Sequence, residues 1–329
     1  MPAESEPHER CLMAWPCRAE LWGPQLAEAK RDYAAAANAI AAFEPVLMVA
    51  RPGEGEEARA ACAGAVEVIE LPIDDSWLRD SGPIVLRGPR GQRAASCFRF
   101  NAWGEKFLPY DHDARIARRL AEHLGLPAFD APLVLEGGSI CVDGEGTLLT
   151  TEQCLLHPSR NPHLDRDQIE DALREYLGVE RVIWLGQGLA EDRDTDGHVD
   201  LIAAFIAPGS VLLQTVADEA DPNWERCQDN LARLRAARDA RGRELEVTEL
   251  PLLPRTEVAG EPVAVGPLNL YLANGAAIVP VTDAAPGERS AILSILAGAF
   301  PAREIVPVPG AVLAYGGGGP HCITQQVPA

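Results

Sequence analysis

The sequence predicts an α/β fold in which five similar units close into a radial array. Three observations predict it. Apolar runs come in pairs around a polar or glycine-rich turn, the pairs recur at long and fairly regular intervals, and helical segments fill most of the gaps. A unit of this size cannot bury its own apolar faces, so the five must pack around a shared centre. An open α/β or α+β sheet would give the same alternation of strands and helices.

The elements follow in order. The alanine-rich stretch 24–44 has an apolar face and stops near Pro45, so it reads as a helix. The first unit, VEVIELPIDDSWLRDSGPIVL, spans 66–86. A helix over 112–125 ends at Gly125, whose lack of a side chain suits a helix C-terminus. The second unit, LVLEGGSICVDGEGTLLT, spans 133–150, and a helix over 164–178 follows Pro162 and ends at Gly178. The third unit spans 198–214, with a helix over 223–242 after it. The fourth spans 268–281, followed by a helix over 287–300, and the fifth spans 311–327. No glycine–serine linker divides the chain, so residues 1–329 are expected to form a single catalytic domain.

Composition narrows the function. The net charge is −20, which opposes binding to nucleic acid or an anionic membrane, since both need basic patches. It suits a cationic small molecule, which a negative field concentrates, although an acidic surface also serves solubility alone. No apolar run approaches 18 residues, so no membrane span is expected. The N-terminal MPAESEPHERCLMAWP lacks a basic region followed by an apolar core, and cytoplasmic residence is the expectation. The eight cysteines are scattered and form no CxxC pair, so most read as small buried hydrophobes.

Polar residues gather at the turns of the units. The first carries Asp74, Asp75, Arg79 and Asp80, the second Glu136, the third Asp194, Asp196, His198 and Asp200, and the fifth Cys322. In a radial array equivalent ends converge, and these carboxylates, an imidazole and a thiol would share one pocket. Carboxylates alone would suppress a thiolate, so the set makes sense if the substrate is a cation. A guanidinium fits, because its N–H donors pair with carboxylates in forked geometry while its carbon faces the sulfur. Each residue has a plainer reading. Asp80 could cap a turn before Gly82 and Pro83, and Glu136 could lie in a surface turn. His198 and Asp200 could share one face of a strand, placed for a metal as well as for base chemistry, but no further His or Cys stands at ligand spacing. The glycine run 316–319 lacks the Lys-Ser/Thr of a phosphate loop and suits close approach of backbone to ligand, with Gly318 a candidate contact. Trp77 and Trp103 could be core, or could wall a slot for an alkyl chain.

Seven motifs occur in order: MAWP (13–16), DDSWLRDSGP (74–83), FNAWG (100–104), LEGGSI (135–140), DTDGHVD (194–200), LANG (272–275) and GGGGPHCITQQ (316–326). Together they resemble the agmatine deiminases, within the Porphyromonas-type peptidylarginine deiminase family of guanidino-group-modifying enzymes. The resemblance covers nearly the whole chain. It implies a five-bladed, pseudo-symmetric α/β propeller, which agrees with the five units. It also implies roles: Cys322 as nucleophile, His198 as general acid/base, Asp80 and Asp200 as guanidinium-binding carboxylates, Glu136 as the carboxylate that holds the histidine and touches the guanidinium, and Trp77 and Trp103 beside the substrate. The implied reaction converts agmatine to N-carbamoylputrescine and ammonia with no metal or organic cofactor, in a homo-oligomer such as a dimer or tetramer. Gly319, Pro320 and Leu201 depart from the family's more usual Asn, Ile and Asn. Deimination of peptidyl-arginine or of a small guanidino metabolite, and silent polyamine binding, are the alternatives.

Overall fold

Five sheets carry one repeated pairing, an antiparallel pair followed by a parallel strand. The computed structural model of the chain describes residues 1–283 and 285–329. It divides into two units, one of Met1–Glu6, Asp80–Tyr110 and Ala114–Pro251, the other of Pro7–Arg79, Asp111–Asp113 and Leu252–Ala329. The architecture is α/β with mixed sheets.

The first unit holds three three-stranded sheets. In the first, Ile84–Arg87 pairs antiparallel with Arg93–Arg99, which pairs parallel with Ala128–Val134. Cys141–Val142, Thr147–Thr151 and Arg181–Leu185 repeat this arrangement, as do Ala203–Ala207, Ser210–Thr215 and Glu246–Pro251. Helices make the crossovers that parallel pairing demands. The helix Arg166–Leu177 shows why they form where they do. The Asp165 side chain accepts a hydrogen bond from the Gln168 N–H, the Gln168 side chain accepts one from the Asp165 N–H, and the chain leaves the helix at Gly178 with φ 67°. Its Ile169, Leu173 and Leu177 recur every four residues and are buried with Leu148, Leu155 and Trp184.

The second unit holds a four-stranded sheet in the order Thr324–Pro328, His8–Ala14, Val46–Ala50, Val66–Glu70. A three-stranded sheet of Tyr271–Ala273, Ala276–Val281 and Glu304–Pro309 shows the same antiparallel-then-parallel pattern. The parallel strand Val46–Ala50 is buried at every residue, as its unbroken VLMVA requires. The helix Leu26–Ala41 buries Ala29, Tyr33, Ala36, Ala37 and Ile40 along one face.

Three expectations change. The first two sequence units straddle sheets, because Val66–Glu70 and Ile84–Arg87 belong to different sheets, as do Ala128–Val134 and Cys141–Val142. The structural repeat is the hairpin plus the strand that follows its helix, and the polar segments are the connections between consecutive sheets. The helix expected over 223–242 ends at Ala236, after which Arg238 bridges Glu244 across a tight turn centred on Gly242 at φ 82°. The fifth unit opens as the helix Ala311–Tyr315, not as a strand. All eight cysteines are free and buried, Cys322 included. No described helix is long and apolar enough to cross a membrane.

Candidate active site

In the first unit the site is built on a glycine. Gly138 lies in the short 3-10 turn Gly137–Ser139, directly after Glu136. A Cβ at Gly138 would lie 2.6 Å from His198 Nδ1, 2.8 Å from Asp200 Oδ2 and 2.9 Å from Asp80 Oδ1. Three polar atoms from two separate connections thus converge on one point of bare backbone. The Gly138 N–H donates to Asp80 Oδ1 at 2.9 Å. Asp80 sits in the helical turn Leu78–Ser81, and its other oxygen accepts from the indole N–H of Trp103 at 2.9 Å. Its carboxylate therefore reaches across to other elements, where a turn cap would bond locally.

Trp103 reaches Asp80 through unusual backbone. Ala102, Trp103, Gly104 and Glu105 have φ of 52°, 56°, 91° and 63°, a left-handed turn. Each non-glycine residue there costs about 1–2 kcal/mol. The neighbours that hold it are specific. Asn101 accepts from the Gly104 N–H at 2.9 Å and donates to the Ser159 carbonyl at 2.9 Å. A side chain at Gly104 would strike Ser159 at 2.5 Å. Lys106 then donates to Asp196 Oδ1 at 2.8 Å and to the carbonyls of Arg193 and Asp194.

His198 and Asp200 lie on a 3-10 turn, Val199–Leu201, and not on a strand. Asp192 Oδ2 accepts from the N–H groups of Gly197 and His198 at 2.8 and 3.1 Å, which pins the loop before the turn. The imidazole is fully buried, with Nδ1 3.8 Å from Asp80 Oδ1 and Nε2 4.0 Å from Glu136 Oε2. Both ring nitrogens and Glu136 Oε2 have no hydrogen-bond partner among the described residues. Glu136 is fully buried, so it is not in a surface turn. Its Oε1 accepts from Arg160 Nε at 2.6 Å, and Arg160 continues to Asp196 Oδ2 at 3.0 Å and to the Thr195 carbonyl at 3.1 Å. Arg160 and Asp196 thus support the site without facing it, a role the sequence did not suggest for the RNP stretch. Asp194 is not among the three nearest atoms to Gly138, and its carbonyl accepts from Lys106 at 2.8 Å.

Burial pushes Asp80 up to about 6. The His198 ring pulls against that shift, the Asp200 and Glu136 carboxylates add to it, and the Trp103 N–H opposes it. Buried acids this close to one another favour protonation unless a cation joins them.

In the second unit, Cys322 lies beside Gly318 and Trp77. A Cβ at Gly318 would come within 2.8 Å of Cys322 Sγ, Cys322 Cβ and Trp77 Cζ3. Gly318 is therefore required by the packing of the thiol against the indole. Trp77 stacks on Trp22, with ring centroids 5.8 Å apart at 24°, and meets Tyr33 edge-on. Asp75 pairs with Arg18 at 2.7 Å and Asp74 accepts from the His112 N–H at 2.8 Å, so both are structural. Arg79 donates to Gln326 Oε1 at 2.7 Å and to the His321 carbonyl at 3.2 Å, bracing the Cys322 segment.

Asn269 was missed. Its Nδ2 lies 3.2 Å from Cys322 Sγ, and its Oδ1 lies 3.3 Å from the sulfur and 3.4 Å from the Cys322 N–H. An amide N–H aimed at sulfur stabilises a thiolate more than a thiol. A signal for it existed. Asp80, Glu136, His198 and Cys322 each lie on a connection from one sheet to the next, and Asn269 lies on the connection before Tyr271, in the one repeat that had been given no polar residue.

Two outcomes follow. Gly138→Ala is expected to keep the fold and lower turnover of a guanidinium substrate by more than about 100-fold, because its methyl occupies the point where the three polar atoms meet; steady-state kinetics beside a melting curve check this, and near-normal kinetics would contradict it. For Asp80 the sign is set by charge. The neutral acid cannot pair with a cation and the carboxylate can, so kcat/KM should rise with pH through about 6. An acid limb confined to the ordinary carboxylate range near about 4 would show that Asp80 does not govern binding.

Comparison with known proteins identifies the family. The family model for Porphyromonas-type peptidyl-arginine deiminase matches residues 1–328. A Legionella pneumophila protein is 46% identical over 330 residues, covering all of this chain and 94% of its own length. The agmatine deiminase of Pseudomonas aeruginosa is 42% identical over 354 residues, covering all of this chain and 95% of its own. Among solved structures, the agmatine deiminase of Enterococcus faecalis superposes with a TM-score of 0.95 at 34% identity, covering all of this chain and 95% of that one. The chain belongs to the Porphyromonas-type peptidyl-arginine deiminase family.

Proposed function

We propose that the chain is an agmatine deiminase, hydrolysing the guanidinium of agmatine to N-carbamoylputrescine and ammonia. The observation that carries this reading is the convergence of Asp80, Asp200 and His198 over Gly138, with Glu136 already engaged by Arg160. Two carboxylates and an imidazole face one point of bare backbone, where a flat cation fits against a residue with no side chain. Relatives named for this activity, 42% and 34% identical over the whole chain, support the choice of agmatine.

In this reading residues 1–329 act as one catalytic domain, with the five sheets arranged as blades of a closed propeller. The five-fold recurrence of the antiparallel-then-parallel sheet supports that arrangement. The reaction requires it, since the thiol and the carboxylates must reach one substrate carbon.

The steps follow from the groups present. Asp80 and Asp200 grip the edges of the guanidinium, and Trp103 orients Asp80. The bound cation favours the thiolate of Cys322, which also receives the amide N–H of Asn269. The sulfur attacks the guanidinium carbon, the bond to one terminal nitrogen breaks, and His198 supplies the proton with which ammonia departs. An amidino-cysteine remains. His198, now neutral, takes one proton from water as it attacks the same carbon, and the C–S bond breaks to release the thiolate and the ureido product, whose remaining hydroxyl proton passes to solvent. Glu136, anchored by Arg160, steadies the charged imidazole; proton transfer of this kind contributes about 10²–10⁴-fold. Trp77 and Gly318 set the position of the sulfur.

Cys322→Ser is expected to lower ammonia release by about 10⁴-fold or more while leaving the fold intact. The same assay on agmatine, free arginine and an arginyl peptide tests the substrate. Agmatine should dominate kcat/KM; preference for the peptide would move the enzyme to another guanidine, and undiminished ammonia from the serine variant would remove the nucleophile.

A further inference from the structure

One buried thiol beside the site has no part in that reaction. Cys154 lies in the helical turn Glu152–Leu155, where its N–H donates to the cap residue Thr151 at 3.1 Å. Its side chain is fully buried. One donor atom from each of Cys154, Glu136 and His198 lies within 4.8 Å of the other two. Glu136 Oε2 and both nitrogens of His198 lack hydrogen-bond partners among the described residues, although both side chains are fully buried. Arg160 occupies only Oε1 of Glu136.

The chemistry of these donors is selective. A thiolate, an imidazole and a carboxylate form a donor set that zinc and its neighbours prefer, whereas magnesium and calcium take oxygen alone. Zinc bonds of about 2.0–2.3 Å require the three atoms to draw together modestly, which side-chain rotation supplies. The loops stay anchored meanwhile, His198 through Asp192 and Glu136 through Arg160. Charge favours the same ligand, since Asp80 and Asp200 crowd the imidazole as well.

We propose that Glu136, Cys154 and His198 form a site for a thiophilic divalent cation, with zinc as its representative, and that occupation of this site inhibits the enzyme. The ion bonds to Cys154 Sγ, whose proton is released to solvent, to one nitrogen of His198 and to Glu136 Oε2, and water fills the fourth position. His198 can then neither give nor take a proton at the bonded nitrogen. The added positive charge also opposes entry of a cationic substrate. The ion is a reversible inhibitor and takes no part in turnover. The inference stands on donor geometry and does not depend on which guanidine the enzyme hydrolyses.

Cobalt tests it, because Co²⁺ bonded to thiolate shows a near-ultraviolet charge-transfer band. Full-length wild type, Cys322→Ala and Cys154→Ala are titrated with Co²⁺ without oxygen, and metal retained after gel filtration is counted. Wild type and Cys322→Ala should each retain one equivalent and show the band. Cys154→Ala should lose the band, and the zinc concentration that halves its own metal-free ammonia release should rise more than about tenfold. If Cys154→Ala does not fold, His198→Asn carries the same expected loss of retained metal. A band that survives in Cys154→Ala or vanishes in Cys322→Ala, or a wild type that retains no metal, would overturn the proposal. A failure of the agmatine reading would appear separately, as absent ammonia release in metal-free wild type.

Discussion

Carboxylates held close together around one buried imidazole are the constraint on which the site depends. Asp80, Asp200 and Glu136 all bear on one buried imidazole, and Arg160 is committed to Glu136 and Asp196. Burying carboxylates is costly unless they are paired. The raised Asp80 is the local sign of that cost. A guanidinium brings positive charge and donors in one plane, which suits such a cluster. The proposed divalent cation draws on the same clustering.

The surrounding structure keeps that imbalance in position. Asp192 fixes the backbone ahead of His198, and Thr151 Oγ1 donates to the Gly197 carbonyl at 2.6 Å. The left-handed turn at 102–105 is expensive in isolation, yet its product is one hydrogen bond from Trp103 to Asp80. Spending conformational energy there holds a carboxylate ready, and such preorganisation is where electrostatic catalysis gains most. Lys106, just after that turn, ties it to Asp196, which also contacts Arg160. Hydrogen bonds therefore link Trp103, Arg160 and the histidine loop within the first unit.

Much of this was legible in the sequence, for identifiable reasons. Asp80, Glu136, His198 and Asp200 stand out because charged residues interrupt apolar runs at recurring places, and the structure brings all four together within the first unit. Boundaries were harder. Apolar runs on either side of a polar segment read as a hairpin, but in the first two cases they belong to successive sheets, because periodicity does not distinguish a hairpin turn from a crossover. The helix Ala311–Tyr315 is only five residues, too short for a periodic signal. Arg160 carries no mark in sequence, since a buried guanidinium looks like a surface one until its partners are placed. Asn269 was hidden inside the apolar run LNLYLANG. His198 and Asp200 lie two apart, which suggests a strand, but a tight turn brings both to Gly138.

The account rests on a covalent bond between Cys322 and the carbon of a cation held by Asp80 and Asp200. Its most direct test is mass spectrometry of enzyme quenched in acid during steady turnover of agmatine. The account predicts a peptide containing Cys322 heavier by the mass of agmatine less ammonia, absent when substrate is omitted. An unmodified Cys322 peptide throughout turnover, or the same adduct on any other residue, would contradict it.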